Sequence, residues 1–166
     1  MSRVAIVTGG ASGIGRALGA ALVARGDRVV LADVAAAAEV ADQLNAAGPG
    51  AATAAAVDVR DAAAVAHLVT ETAEVHGQLD LMFNNAGIRM GGPVEELTVA
   101  HWRRAIEVNL LGVVHGVAAA YPLMLRQGHG HIVNTASLAG LVPMPGAAPY
   151  TASKAAVVGL SFEPPR

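Results

Sequence analysis

One octapeptide limits the folds open to this chain. Thr8-Gly9-Gly10-Ala11-Ser12-Gly13-Ile14-Gly15 follows a short β-branched run, Arg3 to Thr8. It opens a stretch with helical spacing, Gly13 to Gly26, in which Ile14, Leu18 and Leu22 fall four apart. Glycines let a backbone turn tightly and come close to a pyrophosphate, and the helix that follows offers free N–H groups and a positive dipole end. The spacing is G-x-x-x-G-x-G rather than the commoner G-x-G-x-x-G. Gly9, Ser12, Gly13, Ile14 and Gly15 are therefore candidates for holding a dinucleotide. The competing reading is a glycine-rich turn with no ligand; a strand before and a helix after favour the first.

The alternation continues along the chain. Arg28 to Ala32 reads as strand with Asp33 closing it, and Ala35 to Ala47 as helix, stopped by Gly48-Pro49. Ala51 to Val59 reads as a weak strand, because alanine packs poorly on a pleated surface. Asp61 can cap the next helix, whose apolar positions are Val65, Leu68, Val69, Thr72 and Val75. Leu79 to Asn84 is strand; Thr98 caps a long helix to about Arg126, interrupted at Pro122; His131 to Ala136 is strand; Tyr150 starts a last helix. Such a series predicts an α/β fold, a parallel sheet with helices on both faces. Neither a repeat nor a linker divides the chain, so residues 1–166 are expected to form one domain. Gly140 to Pro149 reads as an active-site loop.

Composition removes several functions. A chain of 166 residues can bury about two thirds of its unfolded surface without disulfides. There is no cysteine, which excludes disulfides, thiolate metal sites and a cysteine nucleophile, and suits the cytoplasm. Net charge is −2 with no block of like charge, so neither nucleic acid nor an anionic membrane is expected as partner. Hydrophobic residues make up 54%, which excludes disorder. The most membrane-like stretch, Val108 to Leu125, contains Asn109, His115 and Pro122 and reads as a buried helix of a soluble protein. Met1-Ser2-Arg3-Val4 runs straight into a strand pattern, so no leader is expected.

Further candidates lie at the ends of the strands. A carboxylate at Asp33, eighteen residues after Gly15, can accept both ribose hydroxyls of an adenosine and repels a 2′-phosphate. With no basic neighbour and a neutral Ser12, it favours NAD over NADP; its alternative role is a helix N-cap. Asp58-Val59 could meet an adenine amino group, or Asp58 could simply start the helix near Asp61. Asn84-Asn85-Ala86-Gly87 suits a tight turn beside a cofactor, with Asn85, Ala86 and Gly87 as candidate contacts, and by itself is a turn signal. Tyr150 and Lys154 share a helix face. An ammonium beside a phenol stabilises the phenolate, which can take a proton from an alcohol. Ser137, at the tip of the fifth strand, can hydrogen-bond the substrate oxygen. The six histidines show no metal spacing, and no metal is expected. Trp102, on the long helix, reads as a core or subunit contact.

These motifs together resemble the short-chain dehydrogenase/reductase family over almost all of residues 3–161. The resemblance implies a Rossmann-type doubly wound sheet and an NAD(P)-dependent step between a secondary alcohol and a ketone. It implies Tyr150 as acid/base, Lys154 as the residue that binds nicotinamide ribose and tunes the tyrosine, and Ser137 as the one that positions substrate. For Asn109 it implies a water held in a proton relay; the residue itself reads only as a satisfied helix amide. Subunit packing through the long helix, 98–126, and the Tyr150 helix is implied as well.

The chain departs from the family in length. After Ser161 it meets Phe162-Glu163-Pro164-Pro165-Arg166, where two prolines end any helix. The resemblance implies two more strands and a lid over the substrate. The expectation is a truncated or frameshifted reading frame, with the fifth strand left as an exposed apolar edge. The alternative function is a dinucleotide-binding or interaction fragment without turnover. The apolar residues after Ser137, from Leu138 to Met144, hint at an apolar substrate wall.

Overall fold

The computed structural model describes residues 2–162. Five strands form one parallel sheet: β1 (Val4–Thr8), β2 (Arg28–Asp33), β3 (Ala51–Ala56), β4 (Leu81–Asn84) and β5 (His131–Asn134). Their order is β3-β2-β1-β4-β5, the doubly wound order of a Rossmann-type α/β fold. The chain moves outward from β1 to β3, then returns to the other side of β1 to lay down β4 and β5. A crevice opens where the direction reverses, at the carboxyl ends of β1 and β4.

Alternation along each strand divides the core. Ala5 and Val7 face α1 (Gly13–Ala24) and α2 (Ala38–Ala47), packing with Leu22, Val23, Leu31, Val40 and Leu44. Val4 and Ile6 face the other way, among Leu68 and Val69 of α3 (Ala62–His76), Met82, and Ala120 and Met124 of a long helix. Strand β1 is buried at every position, as a central parallel strand must be.

The long helix runs Val99–Gln127 and is long and apolar enough, by length and composition, to cross a membrane. In the fold its second half packs against α3, β4 and β5 and its first half against the helix Ala148–Ser161. Leu111, Val114, Tyr121 and Leu125 are exposed, so the stretch expected to be buried is buried on one face. The helix divides into α4 (Val99–Ile106), a π-helical turn (Glu107–Leu111) and α5 (Gly112–Gln127). Pro122 does not interrupt it. The proline and Ala118, whose carbonyl the ring releases, both face outward, where water can satisfy that carbonyl. The irregularity lies at the π turn instead. The last described helix, α6, spans Ala148–Ser161 and begins two residues before Tyr150.

Several boundaries move for local reasons. β3 ends at Ala56 rather than Val59, and β5 at Asn134 rather than Ala136. α2 starts at Ala38 rather than Ala35, because the Asp33 carboxylate accepts from Ala11 and Ala35 N–H and holds the chain in a turn first. β4 starts at Leu81 rather than Leu79. Asp61 caps α3 as expected, accepting from Ala63 and Ala64 N–H. Val75, expected among the apolar positions of α3, is exposed. The expected loop 140–149 is entered by a 3₁₀ turn, Leu138–Gly140. Among the described residues β5 pairs only with β4 and is an edge, but Ile132 and Val133 are half-buried rather than fully exposed. The proline pair expected to end the last helix, Pro164-Pro165, lies outside the described residues.

Candidate functional site

A cavity of about 790 Å³ occupies the crevice at the reversal of strand order. Its size is that of a cofactor site rather than of a packing defect. Of the candidate residues, Gly9, Ser12, Gly13, Ile14, Asp33, Asp58, Val59, Asn85, Ala86, Gly87, Ser137, Tyr150 and Lys154 line it. Gly15 and Asn109 do not; each stands behind the wall. A smaller cavity of about 350 Å³ between α3 and α5 holds none of the candidates.

At one end, the turn after β1 is shaped by its glycines. Gly9 and Gly13 have φ of 67° and 51°, which side chains resist. A Cβ on Gly15 would lie 2.0 Å from the Gly9 carbonyl oxygen, so α1 can start this close to β1 only with glycine there. The amides of Gly13, Ile14 and Gly15 find no protein acceptor among the described residues. They form a row of free donors at a helix N-terminus, the arrangement that receives phosphate oxygens. Ile14, expected on the buried face of α1, is 63% exposed and borders the cavity instead.

Asp33 ends β2 with both carboxylate oxygens in use: Oδ2 accepts from Ala11 N–H (2.9 Å) and Oδ1 from Ala35 N–H (3.0 Å). It joins the glycine turn to the chain beyond β2. The N-cap reading fails, because Ala37 occupies that position in α2. Asp58 neither caps a helix nor stands alone. Arg60 Nη2 donates to it at 2.6 Å and Nε at 2.9 Å. The hydrogen bonds from Arg60 hold the Asp58 carboxyl below the usual carboxylate range. Val59 is fixed from behind, with its carbonyl 2.8 Å from His115 Nδ1.

Asn85 spans the crevice. Its N–H donates to Thr8 Oγ1 (2.9 Å), its Nδ2 to the Thr8 carbonyl (2.9 Å), and its Oδ1 accepts from Thr135 Oγ1 (3.2 Å). One side chain thus ties the ends of β1, β4 and β5 together. Asn84 points away from the cavity and donates to Asn134 Oδ1. Gly116 lies against it, where a Cβ would stand 1.8 Å from Asn84 Oδ1.

At the other end stand the residues of α6 and the turn after β5. Lys154 is 3% exposed, and its Nζ donates to the Thr135 carbonyl at 2.6 Å. Burial holds the ammonium below the usual lysine range. Nζ lies 6.0 Å from the centre of the Tyr150 ring. The Tyr150 hydroxyl has no protein hydrogen-bond partner among the described residues, so it is free to exchange a proton with a ligand. Ser137 Oγ accepts from Ala139 N–H (3.2 Å), which leaves its own hydrogen to donate.

Asn109 sits in the π turn, fully buried. Its Oδ1 accepts from Ile88 N–H (2.8 Å), and its Nδ2 donates to the Ile88 carbonyl (3.0 Å) and to Ser153 Oγ (3.1 Å). Ser153 in turn donates to the Tyr150 carbonyl (2.8 Å). A π turn carries one extra residue in the helix and is often found at functional sites. Here it brings an amide to the junction of the 86–92 segment and α6. The satisfied-amide reading of Asn109 describes these contacts.

Three contributors escaped the sequence. Thr8, Thr135 and Ser153 act through hydroxyl or carbonyl contacts to residues nineteen to seventy-eight positions away. A threonine closing β1 before the glycines was a usable signal; the other two gave none. Arg60, Arg89 and Arg104 also line the cavity.

Comparison with known proteins agrees with this geometry. The family model described as short chain dehydrogenase matches residues 3–163. The meso-2,3-butanediol dehydrogenase of Serratia marcescens is 42% identical over 161 residues, covering 96% of this chain and 63% of that protein. The 2-dehydro-3-deoxy-L-rhamnonate dehydrogenase (NAD(+)) of a Sphingomonas strain is 41% identical, with 96% and 63% covered. A short-chain dehydrogenase/reductase from Burkholderia phymatum, solved in complex with NAD, superposes with a TM-score of 0.92 at 42% identity, covering 96% of this chain and 58% of that one. The chain therefore spans about three fifths of the length of these relatives. With its sheet order, its glycine turn and a family match from end to end, the chain belongs to the short-chain dehydrogenase/reductase family.

Proposed function

We propose that the chain is the dinucleotide-binding and proton-transferring part of an NAD-dependent oxidoreductase that interconverts a secondary alcohol and a ketone. One observation carries this reading: a single cavity is lined both by the glycine turn and by Ser137, Tyr150 and Lys154. The cradle that a Cβ at Gly15 would fill, and the free amides beside it, fit a pyrophosphate. Asp33 and Asp58 would hold the adenosine, with Val59, Asn85, Ala86 and Gly87 along the wall. A carboxylate at Asp33 favours NAD over NADP, since it meets ribose hydroxyls and repels a 2′-phosphate. When bound, the nicotinamide supplies the redox partner of the substrate carbon.

The chain's own residues supply the proton path and the alignment. Tyr150 takes the hydroxyl proton during oxidation and returns it during reduction. Lys154, beside the ring, favours the phenolate while charged and would hold the nicotinamide ribose. Ser137 donates to the substrate oxygen. Asn109 is a positioning residue, which fixes the 86–92 segment against α6 and so sets where Tyr150 stands. The relatives named above act, by their names, on a neutral diol and on a sugar acid, so small alcohols and carbonyls are the substrate class assigned here. The exposed Leu111, Val114, Tyr121 and Leu125 fall on one face of the long helix and support pairing with a second copy. We assign the protein to the cytoplasm, which its lack of cysteine suits.

A second reading, binding without turnover, is favoured by exposure at the catalytic end: Leu138 is 66% and Leu141 68% exposed beside Ser137. Thermal unfolding with NAD and with NADP, followed by turnover assays on secondary alcohols, tests both. A ligand bound only by the folded state raises Tm. A rise with NAD and turnover support the first reading. A rise without turnover supports the second, and no rise with either cofactor overturns both.

A further inference from the structure

The cavity contains an arginine that the reaction above does not use. Arg89 follows Ile88 on the segment that leaves β4, and it lines the same cavity as Ser137 and Tyr150. Two glycines fix its position. Gly87, two residues before it, lies against Lys154: a Cβ there would stand 3.6 Å from Nζ. Gly92, three residues after it, donates its N–H to the Gly146 carbonyl (2.8 Å), just ahead of α6. Arg89 is therefore carried along the Tyr150 end of the cavity, away from Asp33 and Asp58.

Its charge is also uncommitted. Arg60 is spent on Asp58, and Lys154 is turned into the Thr135 carbonyl. Among the described residues, no carboxylate pairs with Arg89 and no acceptor takes its guanidinium hydrogens. Asp33 and Asp58, the carboxylates lining the cavity, are at the far end and already hydrogen-bonded. The turn after Ser137 exposes Leu138, Leu141 and Val142 to the solvent, outside the lining of the cavity. An unpaired guanidinium and a proton acceptor on one cavity suit a ligand that carries a carboxylate and an alcohol.

Resting on the function proposed above, we infer that the substrate is a hydroxy acid whose carboxylate is held by Arg89. The guanidinium fork offers paired N–H donors to a carboxylate, the geometry in which such bonds are strongest. In the oxidation, the alcohol carbon loses its hydrogen as hydride to oxidised nicotinamide, and the hydroxyl proton passes to Tyr150. The C–O bond becomes a carbonyl, while the carboxylate is unchanged throughout.

The test is binding without turnover. Oxo acids of four to eight carbons, with the ketone next to the terminal methyl, and their methyl esters are titrated calorimetrically into the protein saturated with NAD. An oxo compound cannot react with the oxidised cofactor. At least one acid is expected to bind about tenfold tighter than its ester, as a charge-assisted bond allows. Arg89→Ala should bring that ratio close to one with NAD affinity unchanged, and Arg89→Lys should keep part of it. Equal binding of acid and ester, binding of neither, or a preference that survives Arg89→Ala overturns the assignment while NAD binding still stands. Failure to bind NAD at all overturns the proposed function, and this inference with it.

Discussion

The two ends of the cavity are built on different principles. The glycine-turn end is made of backbone: free amides, left-handed glycines, and a carboxylate that spends its oxygens on two more N–H groups. What defines it is the room left by absent side chains. The Tyr150 end is made of side chains holding other side chains, from Asn109 to Ser153 and from Thr135 to Asn85. In the function proposed above, the first end would recognise a shape that recurs in every dinucleotide. The second would present one proton at one place, and it depends on contacts between elements far apart in the chain.

Each variant below should break one end and leave the other. Tyr150→Phe is expected to have the largest effect, lowering turnover by about 10²- to 10⁴-fold while the rise in Tm with NAD stays intact. Loss of that rise would mean the two ends are not separable. Gly15→Ala drives a Cβ toward the Gly9 carbonyl and should weaken NAD binding by about 100-fold, read by calorimetry. Normal affinity in that variant would refute the close approach of α1 to β1.

Asn109→Ala removes the three hydrogen bonds of a buried side chain and should cost about 2–4 kcal/mol in a denaturant titration. A loss under about 0.5 kcal/mol would show that the π turn holds its position without the amide. Asp33→Ala should narrow the preference for NAD over NADP by about tenfold and cost roughly 1 kcal/mol of stability through its two backbone contacts. An unchanged ratio would leave Asp33 as a brace only.

The smallest effects are in pH. Lys154 titrates below its reference of 10.5 in the folded protein because burial disfavours its charge. Between those two values the unfolded chain binds more protons, so stability should rise as pH climbs toward 10.5. Just before β2, at the amino ends of the strands, Asp27 is held below 3.8 chiefly by its hydrogen bond to Arg3. Its contribution is present above 3.8 and fades as pH falls through the folded value. Lys154→Met should remove the alkaline rise and Asp27→Asn part of the acid loss, each measured as stability against pH.

The glycine-turn end was legible because its information is local. Glycine spacing after a β-branched run specifies both turn and helix start, and Asp33 follows at the end of the next strand. The Tyr150 end was legible only in part. Tyr150 and Lys154 share a face by spacing alone, yet nothing near Asn109 in sequence announces that its amide reaches Ile88 and Ser153. Nor does local sequence reveal a π turn, which depends on what the helix packs against. Pro122 misled for the converse reason: its cost depends on whether the released carbonyl meets water, and that is a matter of tertiary exposure. Ile14 fitted a helical stripe, but the first turn of α1 looks into the cavity rather than into the core.

The strand order also sets a schedule. While the chain is being made, β1, β2 and β3 can come together in the order in which they appear. β4 must then be placed against β1, and the Asn85 bonds to Thr8 close a span of 77 residues. Until Leu81–Asn84 exist, one flank of β1 is bare and the reversal of direction that opens the crevice has not happened. The glycine turn is thus among the first pieces of the site to be synthesised and among the later ones to gain a second wall. Nascent chains shorter than β4 carry the glycine turn without the pocket it belongs to.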